Sequence, residues 1–363
     1  CLRGIILAFG LMPSLISLQA ADRLAYLDER NPYYPDLKFA KLTTPMWVGE
    51  PGVEAVVLLT IDDMAGGQAP PNRRSVKIAP EIYQQFLQPL VARLKQIDGR
   101  APISIFTLKL EPSDAVVDGF LRDGFSIESH SSSHAVPLMR TSTPPPPPGL
   151  ESLELVSADF IESIESLNRA PGVRPVAWRM PGCDARNTQS VRFFAEVLPR
   201  RTPTGYFLGA DSSIFMWFTP EDTSLSREVL YHPDGTDRFG KFLRGIRSTT
   251  HFVNRISNYP YPFVVNRLIW EFPPITPADS HGVHVHKANS PHTVEDWKRA
   301  LDACFYKKGL YTLCFHTYGY IRSDQLVEVI DYADRTYGKR IKFLNCREVF
   351  DRIVAASEMG AGQ

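Results

Sequence analysis

His130 and His134 stand four apart in the stretch "HSSSH", directly after the short β-rich run "FSIES". Imidazoles at i and i+4 share one side of a helical turn, a spacing at which paired histidines hold a metal ion. In a serine-rich turn the same residues could instead face solvent. "IDD", Ile61 to Asp63, ends a second run, "VEAVVLLTIDD". Adjacent aspartates point to opposite sides of an extended chain, so this pair reads either as chemistry or as a turn and helix cap. His316 closes a third run, "LYTLCFH". Alone it reads as a core histidine.

Taken together the pieces describe more. Two histidines and one carboxylate make three protein ligands and leave a position open for water. A second carboxylate beside the first could then take a proton from that water. A separate histidine could return a proton to a leaving group. Arg179 and Asp211 stand at the ends of two further β-rich runs, "PVAWRM" and "GYFLGADSS".

Something must bring these chain-distant residues to one place. From residue 53 onward short apolar runs alternate with amphipathic segments. The periodicity predicts a helix over "EIYQQFLQPLVARLKQIDG", with Ile82, Phe86, Leu90, Leu94 and Ile97 on its buried face and Gly99 as its stop. The strand "PISIFTLKL", a short helix from Ala115 to Arg122, and the strand "FSIES" follow. A second long helix carries Leu153, Val156, Phe160, Ile164 and Leu167. Further helices are expected at "TQSVRFFAEVL", from Val294 to Tyr306 and from Gln325 to Tyr337. "VVNRLIWEF" reads as one strand. The prolines Pro144 to Pro148 lack backbone donors and read as an extended loop. Residues 214–262 show no repeat. Seven or eight strand–helix units with nearly continuous apolar strands predict an α/β fold, a distorted (β/α) barrel of seven or so parallel strands. In such a barrel the C-terminal rim of the strands gathers the active site. Asp62, Asp63, His130, His134, Arg179, Asp211 and His316 all fall there.

The ordered set resembles the polysaccharide deacetylase (NodB-homology) family, also called carbohydrate esterase family four. "TIDD", Thr60 to Asp63, resembles the family's Thr-Phe-Asp-Asp motif, and "HSSSH" matches its His-Ser/Thr-x-x-His motif. "RMPG", Arg179 to Gly182, supplies an Arg-x-Pro motif, and "LCFH" a Leu-x-x-His motif. The resemblance implies Asp62 as general base, Asp63, His130 and His134 as metal ligands, Arg179 orienting the base, and His316 as general acid. It implies a divalent metal ion, zinc or one like it, and an acetylated polysaccharide or oligosaccharide as substrate. Met64 and Gly182 depart from the usual motif residues, and the family's aspartate–tryptophan motif is not evident. "ADSS" resembles more distant branches that cleave other C–N bonds. "SNYPYPFVVNRLIWEFP" and "FHTYGYI" look like a secreted planctomycete-type branch.

The implied activity is metal-dependent removal of acetyl groups, N-acetyl foremost, from a glycan. Two alternatives stand beside it: hydrolysis of a small amide or ureide on the same fold, and a catalytically silent glycan-binding domain. Asp211, Pro181, Tyr318 and Trp217 are candidate substrate contacts, and Glu128 and Asp184 candidate partners that orient the histidines. Trp178 and Trp270 lie in apolar runs and read as core; Tyr206 is a further stacking candidate. "HGVHVHKANSPH" holds His281, His284, His286 and His292 and reads as a solvated loop or a second metal site.

The 363-residue chain carries 40 basic and 40 acidic residues, which argues against nucleic acid as a partner. At its start one arginine precedes an apolar run from Ile5 to Leu18 ending in Ala20 and Ala21, the layout of a secretory signal. The run is shorter than the ~20 residues of a membrane-spanning helix. The expected organisation is a signal over 1–20, an extension over 21–52, the barrel over 53–355 and a tail over 356–363. Export to the periplasm, cell envelope or extracellular space follows. Cys183, Cys304, Cys314 and Cys346 are unclustered and read as buried apolar residues or as one disulfide.

Overall fold

The computed structural model describes residues 47–65, 78–134, 153–183, 209–243, 255–265 and 269–361. The expected signal, most of the extension, Pro144 to Pro148, the helix "TQSVRFFAEVL", Asp184 and Tyr206 lie outside the described residues.

β1 (Ala55–Met64) is buried along its whole length. Its odd residues Val57, Leu59 and Ile61 join one apolar cluster and its even residues Val56 and Leu58 another. A strand with apolar side chains on both faces needs cover on both, which a parallel sheet inside a helical layer supplies. The strands that follow are β2 (Ile103–Thr107), β3 (Ser126–Ser129), β4 (Ala177–Trp178) and β5 (Ala210–Asp211). Next come β6 (Phe215–Trp217), β7 (Arg255–Ser257), β8 (Phe263–Val265), β9 (Ile269–Glu271), β10 (Leu310–Phe315) and β11 (Ile341–Phe343). The main sheet runs β10–β1–β2–β3–β4–β5–β9, all parallel, with β8 antiparallel on β9 and β11 beside the start of β1. Beyond β9, Pro274 bridges to Thr312, and the Ile275 N–H donates to the Thr312 carbonyl at 2.8 Å. That contact returns the far edge to β10, so seven parallel strands curl into a distorted (β/α) barrel.

The helices of eight or more residues are α1 (Pro80–Asp98), α2 (Ala115–Asp123), α3 (Leu153–Arg169), α4 (Asp279–His286), α5 (Pro291–Tyr306), α6 (Ser323–Tyr337) and α7 (Cys346–Ala361). Local chemistry sets their ends. Asp114 caps α2 through the Val116 N–H, and Ser290 caps α5, whose first residue is Pro291. Gly99 ends α1 at φ 70°, as its sequence position suggests. No described helix is long and apolar enough to cross a membrane.

Three expectations change. The buried face of α1 is Pro80, Tyr83, Leu87, Leu90 and Leu94, while Ile82 is half exposed. The face is turned because Tyr83 points inward. "VVNRLIWEF" is not one strand: its ends lie in β8 and β9, which pair antiparallel. Residues 214–262 contain a second, two-stranded sheet in which β6 and β7 run parallel.

Candidate active site and metal centre

The even positions of β1 continue inward to Thr60 and Asp62. Simple alternation would turn Asp63 outward, toward the layer of Leu59 and Ile61. The register with β2 shifts between Ile61 and Met64, and Asp63 takes φ 74°, a left-handed conformation costing on the order of 1 kcal/mol for a non-glycine residue. Both aspartates are therefore buried at one place. The extended-chain geometry expected for the pair is broken here.

His130 follows β3 directly. Its Nδ1 lies 2.8 Å from the Arg179 carbonyl oxygen, so Nδ1 donates there and Nε2 is turned toward Asp63. "HSSSH" is not a helical turn: Ser131 and His134 have φ of 64° and 52°. The loop is shaped instead by Asp159 of α3, which accepts from the Ser132 and Ser133 N–H groups at 2.9 and 3.0 Å. The Ser131 hydroxyl oxygen accepts from the His134 N–H at 2.9 Å. The result brings His130 Nε2 and His134 Nε2 to 3.2 and 2.8 Å from Asp63 Oδ1. Asp63 Oδ1 is buried and still has no aligned hydrogen-bond donor. Three donor atoms converging within 4.8 Å of one another, with an orphaned carboxylate oxygen among them, fit a divalent ion. Asp63, His130 and His134 could hold a metal.

Asp62 has other partners. Arg179, fully buried, donates from Nη1 to Asp62 Oδ1 at 2.7 Å and to Thr60 Oγ1 at 2.9 Å. Its Nε and Nη2 are fixed by the Ser212 carbonyl and hydroxyl at 2.7 and 2.8 Å. Burial pushes the Asp62 carboxyl up, but Arg179, His130 and His316 outweigh it and hold the group below its ordinary value. Asp62 Oδ2 lies 3.4 Å from the Cys314 thiol and 4.0 Å from His130 Nε2. Asp62, Cys314 and His316 form a second close group. It suits a metal less well, because Arg179 already neutralises Asp62, and contact with Cys183 plus burial keeps the Cys314 thiol protonated.

His316 follows β10, with Nδ1 at 2.8 Å from Asp279 Oδ1 and Nε2 at 3.7 Å from Asp63 Oδ2. Asp279 also accepts from the His316 N–H at 2.6 Å. Burial disfavours the imidazolium, but Asp279 more than offsets it and raises His316 well above its ordinary value. Sequence reasoning did not find Asp279. It opens α4, eight residues beyond β9, with no motif to flag it. Nearby, the Trp297 indole N–H donates to the Pro277 carbonyl at 2.7 Å and anchors the segment carrying Asp279.

The remaining candidates fall in several places. Tyr318 donates to Asp63 Oδ2 at 2.5 Å, its ring stacked on His316. Trp217 is half-buried on β6, and Pro181 is buried. Asp211 is fully buried, accepting from the Ser213 hydroxyl at 2.5 Å beside Glu271, whose carboxyl burial and Asp211 together push well up. Glu128 orients no histidine; its Oε2 accepts from the Val176 and Ala177 N–H groups at 2.8 Å and holds β4. His281, His284 and His286 lie on α4 and not in a loop. His286 pairs with Asp296 at 2.9 Å and His281 packs on Phe215, and no metal-holding group among the described residues includes them.

No family model matches the sequence, and no curated protein matches it. Solved structures do resemble it. A polysaccharide deacetylase from Mycobacterium smegmatis shares 15% identity over 87% of this chain and 96% of its own, at a TM-score of 0.49. The family 4 carbohydrate esterase from Streptomyces lividans shares 13% identity over 80% and 91%, at 0.36. The Puue allantoinase shares 13% identity over 89% of this chain and 98% of its own, at 0.51. At such identities likeness speaks for fold alone, and the chain has the distorted (β/α) barrel fold that this allantoinase shares.

Proposed function

We propose that this chain is a metal-dependent hydrolase that removes acetyl groups, N-acetyl foremost, from a polysaccharide or glycan. One observation carries the reading: Asp62, paired with Arg179, and His316, paired with Asp279, flank the Asp63–His130–His134 group. A divalent ion held by Asp63, His130 and His134, zinc or one like it, would supply Lewis acidity and lower the pKa of a water it binds from about 15.7 toward about 7.

The chain's own residues supply the rest. Asp62 Oδ1 is held by Arg179, and Oδ2, met by the weakly donating Cys314 thiol at 3.4 Å, is the oxygen that takes the proton of the attacking water. Arg179 is itself held at every nitrogen, so the base stays ionised and aimed. His316, charged through Asp279, gives a proton to the departing nitrogen, which an amide needs more than an ester does. Tyr318, beside the three-ligand group, and the half-buried Trp217 are the aromatic rings offered for stacking against a sugar. The apolar run from Ile5 to Leu18, read as a secretory signal, supports export to the compartment where such polymers occur.

A second reading, hydrolysis of a C–N bond in a small amide or ureide, is supported by the likeness to an allantoinase. One assay separates the two. Acetate released from acetylated glycans, without turnover of cyclic ureides, is the expected result. Ureide opening with no acetate release would replace the proposal by the second reading.

A further inference from the structure

One oxygen of Asp63, Oδ2, and the peptide bond before the residue are placed by groups that the reaction itself does not require. The register shift between Ile61 and Met64 takes this stretch of β1 out of the regular ladder. Beyond it the Met64 carbonyl accepts from the Leu108 N–H at 2.9 Å and the Thr107 hydroxyl at 2.7 Å. The Asp62 carbonyl is met from the other side. Tyr83, in the first turn of α1 and fully buried, donates its hydroxyl to that oxygen. An apolar ring would fill the same place in the core. The hydroxyl answers a different need: it fixes the peptide that leads into the left-handed Asp63. On the side chain, Tyr318 donates to Oδ2 and leaves Oδ1 as the oxygen facing His130 and His134.

We infer that Tyr83 and Tyr318 are positioning residues for the metal, one holding the Asp62–Asp63 peptide and the other selecting which Asp63 oxygen ligates. This rests on the metal-centre reading proposed above. The physical reason is preorganisation. A ligand already held in its bound conformation has little to order when the ion arrives, and groups that orient ligands typically govern affinity by about 10- to 100-fold. Without the Tyr83 hydroxyl, the buried Asp62 carbonyl loses that donor and Asp63 can relax toward the extended form that points it away. Without the Tyr318 hydroxyl, the carboxylate can rotate.

The test is zinc affinity, measured by competition with a chromophoric chelator, for the wild type, Tyr83→Phe, Tyr318→Phe and the double variant. Each single change is expected to weaken binding by about 10- to 100-fold. The double variant is expected to lose less than the product of the two, because both hydroxyls act on one aspartate. Leu87→Ala, on the same buried face of α1, serves as the control. It lowers thermal stability and leaves zinc affinity unchanged, which a merely structural role for Tyr83 would also give. Wild-type affinity in both tyrosine variants overturns the inference. Should Tyr83→Phe fail to fold, unchanged affinity in Tyr318→Phe alone overturns it. A wild-type protein that binds no zinc removes the metal reading itself, a distinct outcome.

Discussion

His316 and Asp279 are joined twice: the imidazole Nδ1 lies 2.8 Å from one carboxylate oxygen and the backbone N–H 2.6 Å from the other. The double contact fixes ring, tautomer and charge together. It turns Nε2 toward Asp63, 3.7 Å away, and makes the imidazole a proton donor at pH values where a free histidine has lost its proton.

The sign of the pH dependence follows. His316 sits well above 6.5, so the acid is present below its raised value and is lost only as pH climbs through it. The alkaline limb of the kcat profile therefore lies well above 6.5. Asp279→Asn removes the charge that outweighs burial, and the limb should move down toward or below 6.5. Each unit by which it falls below the assay pH costs about tenfold in rate. A pH–rate profile checks this, and an unmoved limb would take Asp279 out of the account.

Asp62→Asn keeps the shape of the residue and removes its basicity. The rate of the chemical step should fall by about a hundredfold or more while bound metal stays at the wild-type level. Parallel loss of metal would make Asp62 a ligand and not a base.

Arg179→Met leaves Asp62 buried with its main partner gone. Breaking a buried ion pair from one side costs about 3–5 kcal/mol, which denaturant unfolding would register. The Asp62 carboxyl is now held below its ordinary value, so its ionised form persists as pH falls through 3.8. In the variant, burial prevails and the acid limb of activity should move upward. An acid limb that stays in place would mean that Arg179 does not set the charge of the base.

The sequence carried much of this architecture for a physical reason. Strands buried on both faces read as apolar runs, and polar residues such as Asp62, His130 and His316 stand out sharply at their ends. The parts it hid depend on single backbone angles or distant partners. Nothing in "IDD" announces the left-handed Asp63 that turns both carboxylates to one place. Helical periodicity put Ile82 on the inner face of α1, where the structure turns Tyr83 in with a hydroxyl bonded to β1. Asp279 and Asp159 act on histidines and serines far from them in the chain, and Asp279 sits on a short helix that the histidine-rich stretch disguised as a loop.

Metal should also stabilise the fold, since the ligands meet only when β1 and the loop after β3 are in place. Free zinc at a hundred times its dissociation constant would add about 2.7 kcal/mol of stability. Thermal melts should shift upward by several degrees with zinc and return with a chelator. The absence of any shift would separate the histidines from metal.

The most direct measurement is the metal content of the purified protein beside His134→Ala. His134 Nε2 is the closer of the two imidazole nitrogens to Asp63 Oδ1, at 2.8 Å, and its side chain is less buried than that of His130. The account expects about one divalent ion per chain in the wild type and its loss in the variant, with the fold retained. A wild-type protein that stays metal-free under metal-replete conditions would contradict it, and "HSSSH" would then be a turn.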